Sequence, residues 1–162
     1  MKELIKQASK LKDKNNRLFF VIVICLAIGG LLRVFYCLKY PVPVRDSFSY
    51  KFFIEEWVKY GKLPYGKDFP PLGLYLLHIP SALTGCETIK SSIIMNVLFG
   101  MLFICVSVYI SKCIFSSTFV QCVIGLIVAT HPTLIDYSCQ GTRENSYLLF
   151  CCLSIFFIIK YM

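Results

Sequence analysis

Four long apolar runs constrain this chain more than any other feature. They cover residues 18–38, 91–111, 114–130 and 145–161, and each holds at most one charged side chain. A helix rises 1.5 Å per residue and a bilayer's hydrocarbon core is about 30 Å thick, so about 20 apolar residues make one crossing. The spacing therefore predicts an all-α, polytopic membrane protein with four transmembrane helices. Composition agrees: 57% of the residues are hydrophobic and 16% are charged, where soluble domains are nearer a quarter charged.

The segments between the runs define the expected organisation. Residues 1–17 form a basic cytoplasmic N-terminus, and 18–38 the first transmembrane helix, too long for a cleaved leader core. Residues 39–90 form an extracytoplasmic loop with amphipathic helices, and 131–143 a second loop on the same side. Six of the seventeen Lys and Arg residues precede the first run, while the 39–90 loop carries seven over three times the length. This density difference and the lead of the first helix put both termini in the cytoplasm. The chain is thus expected in the plasma (inner) membrane, beside anionic lipid headgroups.

The formal net charge of +8 could suit nucleic acid, but the basic residues gather at membrane boundaries and not in a soluble domain. Nine cysteines would suggest a disulfide scaffold in a small secreted chain. Here Cys25, Cys105, Cys122, Cys151 and Cys152 lie inside apolar runs, where they act as small hydrophobes. Cys86 and Cys139 fall in the two outer loops, which leaves a disulfide between them open. No Cys/His spacing suggests zinc, so no metal ligands are assigned.

Within the first loop, residues 47–60 have helical periodicity. Tyr50, Phe53, Ile54, Trp57 and Val58 share one face, and Lys51, Glu55 and Lys59 are spaced four apart on another. Such a helix next to a span is expected in the membrane interface, or packed on the loop itself. Residues 72–83 are apolar but reach only about 18 Å as a helix, so a re-entrant or interfacial segment is expected. Arg33 lies in the first run. The reading taken is that it snorkels to the interface; the alternative is a positive charge facing a polar cavity inside the bundle.

The two loops hold most of the groups that could do chemistry. Arg45, Asp46 and Tyr50 lie in the first, Asp136, Arg143 and Glu144 at the second. A shielded carboxylate outside a span can act as a general base. The plainer role of Asp46 is a helix N-cap, and that of Glu144 is to stabilise the positive end of the last helix. Arg143 reads as an interface anchor or a phosphate clamp. His78 reads as an interfacial side chain, and His131, before Pro132, as a loop residue.

The order of these features resembles a known family. A basic N-terminus, a first helix ending in LLRVFY, then RDSFSY, an aromatic amphipathic helix, GKLPYGKDFPPLGLYLL, two spans and HPTLIDYSCQGTRENSYLL is similar to the N-terminal part of the GT-C glycosyltransferases. The likeness is to the protein O-mannosyltransferase and lipid A aminoarabinose transferase group. It implies inverting transfer of a sugar from a polyprenyl-phosphate-linked donor to an extracytoplasmic glycan, lipid or protein, with no nucleotide sugar. It implies Asp46 as general base and Glu144 as a second acidic residue that orients substrate. Arg45, Tyr50 and Arg143 would then bind substrate, and Pro70 and Pro71 would shape the loop over the site. A divalent metal serves in some members, but the carboxylate that often follows the first acid is Ser47 here.

Family enzymes are longer and have more spans. The chain is accordingly expected to be an N-terminal fragment or one piece of a split enzyme, inactive alone. The competing expectation is a non-catalytic membrane subunit or scaffold that binds through its helix faces. A small-solute transporter fits less well, because the spans carry few ionisable residues.

Overall fold

The computed structural model describes residues 2–40, 51–52, 55–56, 59–60, 85, 87–140 and 144–162, with side chains from residue 16 onward. Five helices and no strand are bounded among these residues: α1 (Lys2–Lys39), α2 (Thr88–Ile114), α3 (Thr118–Thr130), α4 (Pro132–Cys139) and α5 (Glu144–Tyr161). The described residues at 51–60 are also helical, and Lys51 and Glu55 pair there at 3.8 Å as their spacing implied. The expected interfacial segment at 72–83 and His78 lie outside the described residues.

Three helices are long and apolar enough to cross a membrane: Asn16–Lys39 within α1, all of α2, and all of α5. The third expected crossing differs from its reading as one straight helix. Helix α3 has 13 residues, about 20 Å of rise, and α4 continues from it after a 45° bend at His131. Counted as one broken span, the pair brings the total to four. The segment 131–143, expected as a polar loop, thus contains a helix over eight of its residues. Pro132 ends α3 because it has no N–H to continue the ladder, yet it is well suited to the first turn of α4.

The basic N-terminus also differs in form from a separate surface segment, since α1 runs without interruption from Lys2 through the first span. The inward stripe of α1 reads Leu18, Val21, Cys25, Gly29, Arg33, a spacing of three or four that keeps one face of a helix on a neighbour. Helix α2 lies at the centre and packs against each of the other four helices, and α1 also packs against α3 and α4. The core is built from Leu18, Val21 and Cys25 of α1, Ile104 and Val108 of α2, and Ala129 of α3.

The sidedness of α2 is inverted relative to a soluble helix. Its buried positions include Ser91, Ser92, Asn96, Gly100, Ser107 and Ser111, while Ile94, Leu98, Leu102 and Tyr109 face outward. Outward apolar side chains such as Leu31 and Phe119, 72% and 76% exposed, suit hydrocarbon surroundings and not water. Small and polar residues then line the contacts between helices, where they permit close approach. Several buried hydroxyls are satisfied within their own helix: Ser92 donates to the Thr88 carbonyl, Ser107 to Phe103 and Ser111 to Val108. Gly125 marks a close approach of α1 and α3. A Cβ at this position would lie 2.6 Å from Cys25 Sγ and 2.8 Å from Val108 Cγ2.

Candidate functional site: a buried arginine in a polar cluster

The polar centre of the bundle forms where α1 ends, α2 begins, α3 bends into α4 and α5 begins. Arg33 belongs to the inward stripe of α1 and is 0% exposed. The snorkelling expectation is therefore corrected: the side chain is enclosed by neighbouring helices, not extended to an interface. The alternative, a charge facing the bundle interior, matches its position.

Arg33 Nη1 donates to the Gly29 carbonyl and to the Ala129 carbonyl, each at 3.0 Å. The second bond has a clear local cause. In an unbroken helix the Ala129 carbonyl would accept from the N–H four residues later, but the chain bends between α3 and α4. The guanidinium supplies a donor at that helix end, where the carbonyl dipoles also favour a positive charge. Nε and Nη2 of Arg33 have no hydrogen-bond partner among the described residues.

A second set of bonds ties α5 into the same region. Asn145 Nδ2 donates to the Asn96 carbonyl at 3.0 Å and to Ser138 Oγ at 2.9 Å, while Ser138 Oγ donates to the Leu134 carbonyl at 3.0 Å. Asn145 in the first turn of α5 thus joins α2 and α4. The two sets meet at Gly100. A Cβ there would lie 2.8 Å from Arg33 Nε, 3.1 Å from Ser138 Oγ and 3.4 Å from Asn145 Nδ2. Only a residue without a side chain lets these three groups converge on α2.

The amide of Asn96 is fully buried, and neither its oxygen nor its nitrogen has a partner among the described residues. Nearby, the thiols of Cys37 and Cys139 face each other across α1 and α4. Cys139 Sγ also approaches the Ile135 carbonyl at 3.6 Å and the Arg33 carbonyl at 4.0 Å. Both thiols are free. The disulfide left open between Cys86 and Cys139 cannot be placed, since Cys86 lies outside the described residues, but the neighbour that Cys139 does have is Cys37.

Of the catalytic and substrate-binding residues expected from the sequence, Glu144 is the one among the described residues. It opens α5, one position before Asn145, and its Oε2 is buried with no partner among the described residues. Asp46, Arg45, Tyr50, Pro70, Pro71 and Arg143 lie outside the described residues. Asp136 accepts a hydrogen bond from Gln140 Nε2 within the same helical turn. His131 sits at the bend between α3 and α4. Among the described residues, no group of three or more His, Cys, Asp or Glu side chains is arranged to hold a metal ion.

Asn96, Ser138 and Asn145 had not been singled out. The available signal was their position: Asn96 is a lone amide inside an otherwise uncharged run, and Asn145 stands at the head of another. An open cleft of about 310 Å³ lies at the opposite end, lined by Leu18, Lys112 and the α2–α3 turn. Among the described residues its lining includes one cationic side chain, Lys112. Comparison with protein-family models, with curated proteins and with solved structures finds no match for this chain.

Proposed function

We propose that this chain is a four-span integral membrane protein that contributes to glycosyl transfer of the GT-C type, from a polyprenyl-phosphate-linked sugar to an extracytoplasmic acceptor. The bent pair α3–α4 counts as one crossing in this reading. Both termini are cytoplasmic, and Asp46 serves as general base with Glu144 as a second acidic group.

The observation that supports it best is the placement of Glu144. Its buried, unpartnered Oε2 stands at the head of α5, beside the Asn145 that bonds to Ser138 and Asn96. That end of the bundle is also where α1 finishes and α2 starts. In sequence, Asp46 belongs to the segment that connects these two helices. A carboxylate with limited solvent access is suited to orient or deprotonate a substrate hydroxyl or amine. Arg45, Tyr50, Pro70, Pro71 and Arg143 contribute substrate contacts in this reading, and no metal ligands are assigned.

The test is transfer of radiolabelled sugar from a lipid-linked donor by membranes expressing the native gene product. Asp46→Asn is expected to lower the rate by about 10²–10⁴-fold, the usual range for a lost general base, and Glu144→Gln to impair it as well. Wild-type rates from both variants would rule out the assigned roles. Loss of both effects together with absence of transfer by the unaltered protein would favour the non-catalytic subunit.

A further inference from the structure

The guanidinium of Arg33 is engaged on one side only. Nη1 serves the Gly29 and Ala129 carbonyls, and the two nitrogens left without partners among the described residues are Nε and Nη2. These two share one edge of the planar group. That edge presents two parallel N–H donors, the arrangement that grips a phosphate or carboxylate through paired bonds.

The surroundings sharpen the imbalance. Arginine retains its charge in proteins, and a buried charge without a partner is strongly unfavourable. The ion pairs seen among the described residues are Lys51–Glu55 and Lys90–Glu87, and neither involves Arg33. Carbonyl oxygens supply partial charge but no full counter-charge. One turn before Gly100 on α2, buried Asn96 offers another amide donor without a partner. Several groups with unused hydrogen-bonding capacity therefore occupy one enclosed region of a protein that otherwise satisfies its buried hydroxyls locally.

We propose that the free edge of Arg33 is a binding subsite for a singly charged phosphate oxyanion. One negative charge neutralises one guanidinium, whereas a dianion would leave an excess charge buried. A phosphodiester headgroup of a membrane lipid and free dihydrogen phosphate share this chemistry. The proposal is independent of glycosyl transfer, because the buried charge needs a counterpart whether or not the chain takes part in a reaction.

The experiment uses the full chain purified in a non-ionic detergent and equilibrated in chloride buffer near pH 6, followed by thermal unfolding. One arm adds sodium phosphate against sodium chloride at equal ionic strength. The other adds phosphatidylglycerol against diacylglycerol, which lacks the phosphate. A ligand bound to the folded state alone raises the transition, here by about 3 °C or more at saturating ligand. A rise in the phosphate arm identifies a site open to the free ion. A rise in the lipid arm alone identifies a headgroup site, and either result supports the subsite.

Arg33→Gln is expected to abolish the rise, and Arg33→Lys to weaken it, since an ammonium lacks the paired donors. Gly100→Ala retains the arginine but places a methyl group 2.8 Å from Nε. It is expected to weaken the rise and keeps the test available should Arg33→Gln fail to fold. The subsite is overturned if wild-type protein responds in neither arm, or if a folded Arg33→Gln protein responds as fully as wild type.

Discussion

Arg33 on α1 donates a hydrogen bond of 3.0 Å to the Ala129 carbonyl, across 96 positions of sequence, at the end of the helix that stops before Pro132. A side chain of one span thereby completes the backbone bonding of another. Removing the donor exposes the dependence. Arg33→Met retains part of the aliphatic stem and leaves the buried carbonyl without this partner. It is expected to destabilise the bundle by about 1–3 kcal/mol, read from thermal or detergent unfolding with phosphate present, so that the wild-type charge is matched. Stability equal to wild type would show that another group takes the donor's place.

The junction of α5 with α2 and α4 rests on Asn145. Asn145→Ala removes both bonds made by Nδ2, to the Asn96 carbonyl and to Ser138 Oγ. The expected loss is about 1–3 kcal/mol. Ser138→Ala should cost less, because the Leu134 carbonyl stays within the helical ladder and Asn145 keeps its bond to the Asn96 carbonyl. The double variant should fall short of the sum, since both single changes remove the same contact. Strict additivity would mean that the contact contributes nothing.

The tight crossing at Gly125 gives a steric prediction. Gly125→Ala introduces a methyl group 2.6 Å from Cys25 Sγ and 2.8 Å from Val108 Cγ2. Overpacking of this kind costs about 1–3 kcal/mol. Cys25→Ala removes one of the two obstructing atoms, so the pair of changes should recover part of the loss. Unfolding of the four proteins of this cycle measures the coupling, and absence of any recovery would place the two helices differently.

The thiols of Cys37 and Cys139 are neighbours across α1 and α4. Mild oxidation with copper phenanthroline is expected to join them within one chain. Peptide mapping under non-reducing conditions would identify the bridge, and Cys37→Ala should abolish it. Capture of Cys139 by Cys86 instead would place the undescribed Cys86 against α4 and displace Cys37 from that role.

Topology has a native reporter. Cys113 is exposed near the end of α2, before the turn to α3. If both termini are cytoplasmic, as proposed, this turn is cytoplasmic too. An impermeant maleimide should therefore leave Cys113 unlabelled in intact cells and label it in inverted vesicles. Labelling from outside would reverse the orientation and place Glu144 on the cytoplasmic side.

The apolar runs were enough to place α1, α2 and α5, because hydrocarbon demands continuous helices with satisfied backbone groups. They were poorer guides to what the helices enclose. Pro132, Asp136 and Gly141 signalled a loop around residues 131–143, yet Leu134 and Ile135 find cover on neighbouring helices, and α4 forms. Arg33 is close to a helix end by residue count, which favoured snorkelling. Its burial depends on the α3–α4 bend, about a hundred residues away, and no local periodicity carries that contact. Asn96, Ser138 and Asn145 escaped notice for a related reason. Hydropathy ranks spans by apolar content, while the contacts between these helices are made largely by the polar and small residues that lower the score. Glu144 was legible as a helix-head acid, but its Asn145 neighbour became meaningful only with α2 and α4 in place.

The bend at His131 also makes α3 and α4 dependent on α1. A span broken at membrane depth exposes carbonyls that lipid cannot satisfy, so α3 and α4 are poorly suited to enter the bilayer as a free-standing unit. The donor that answers Ala129 is carried on α1, which precedes α3 in the chain. If α3 and α4 form one crossing, α1 is then the helix that supplies the missing donor to the break. A bundle lacking α1 would leave the break between α3 and α4 without that donor even with α3 and α4 themselves unchanged.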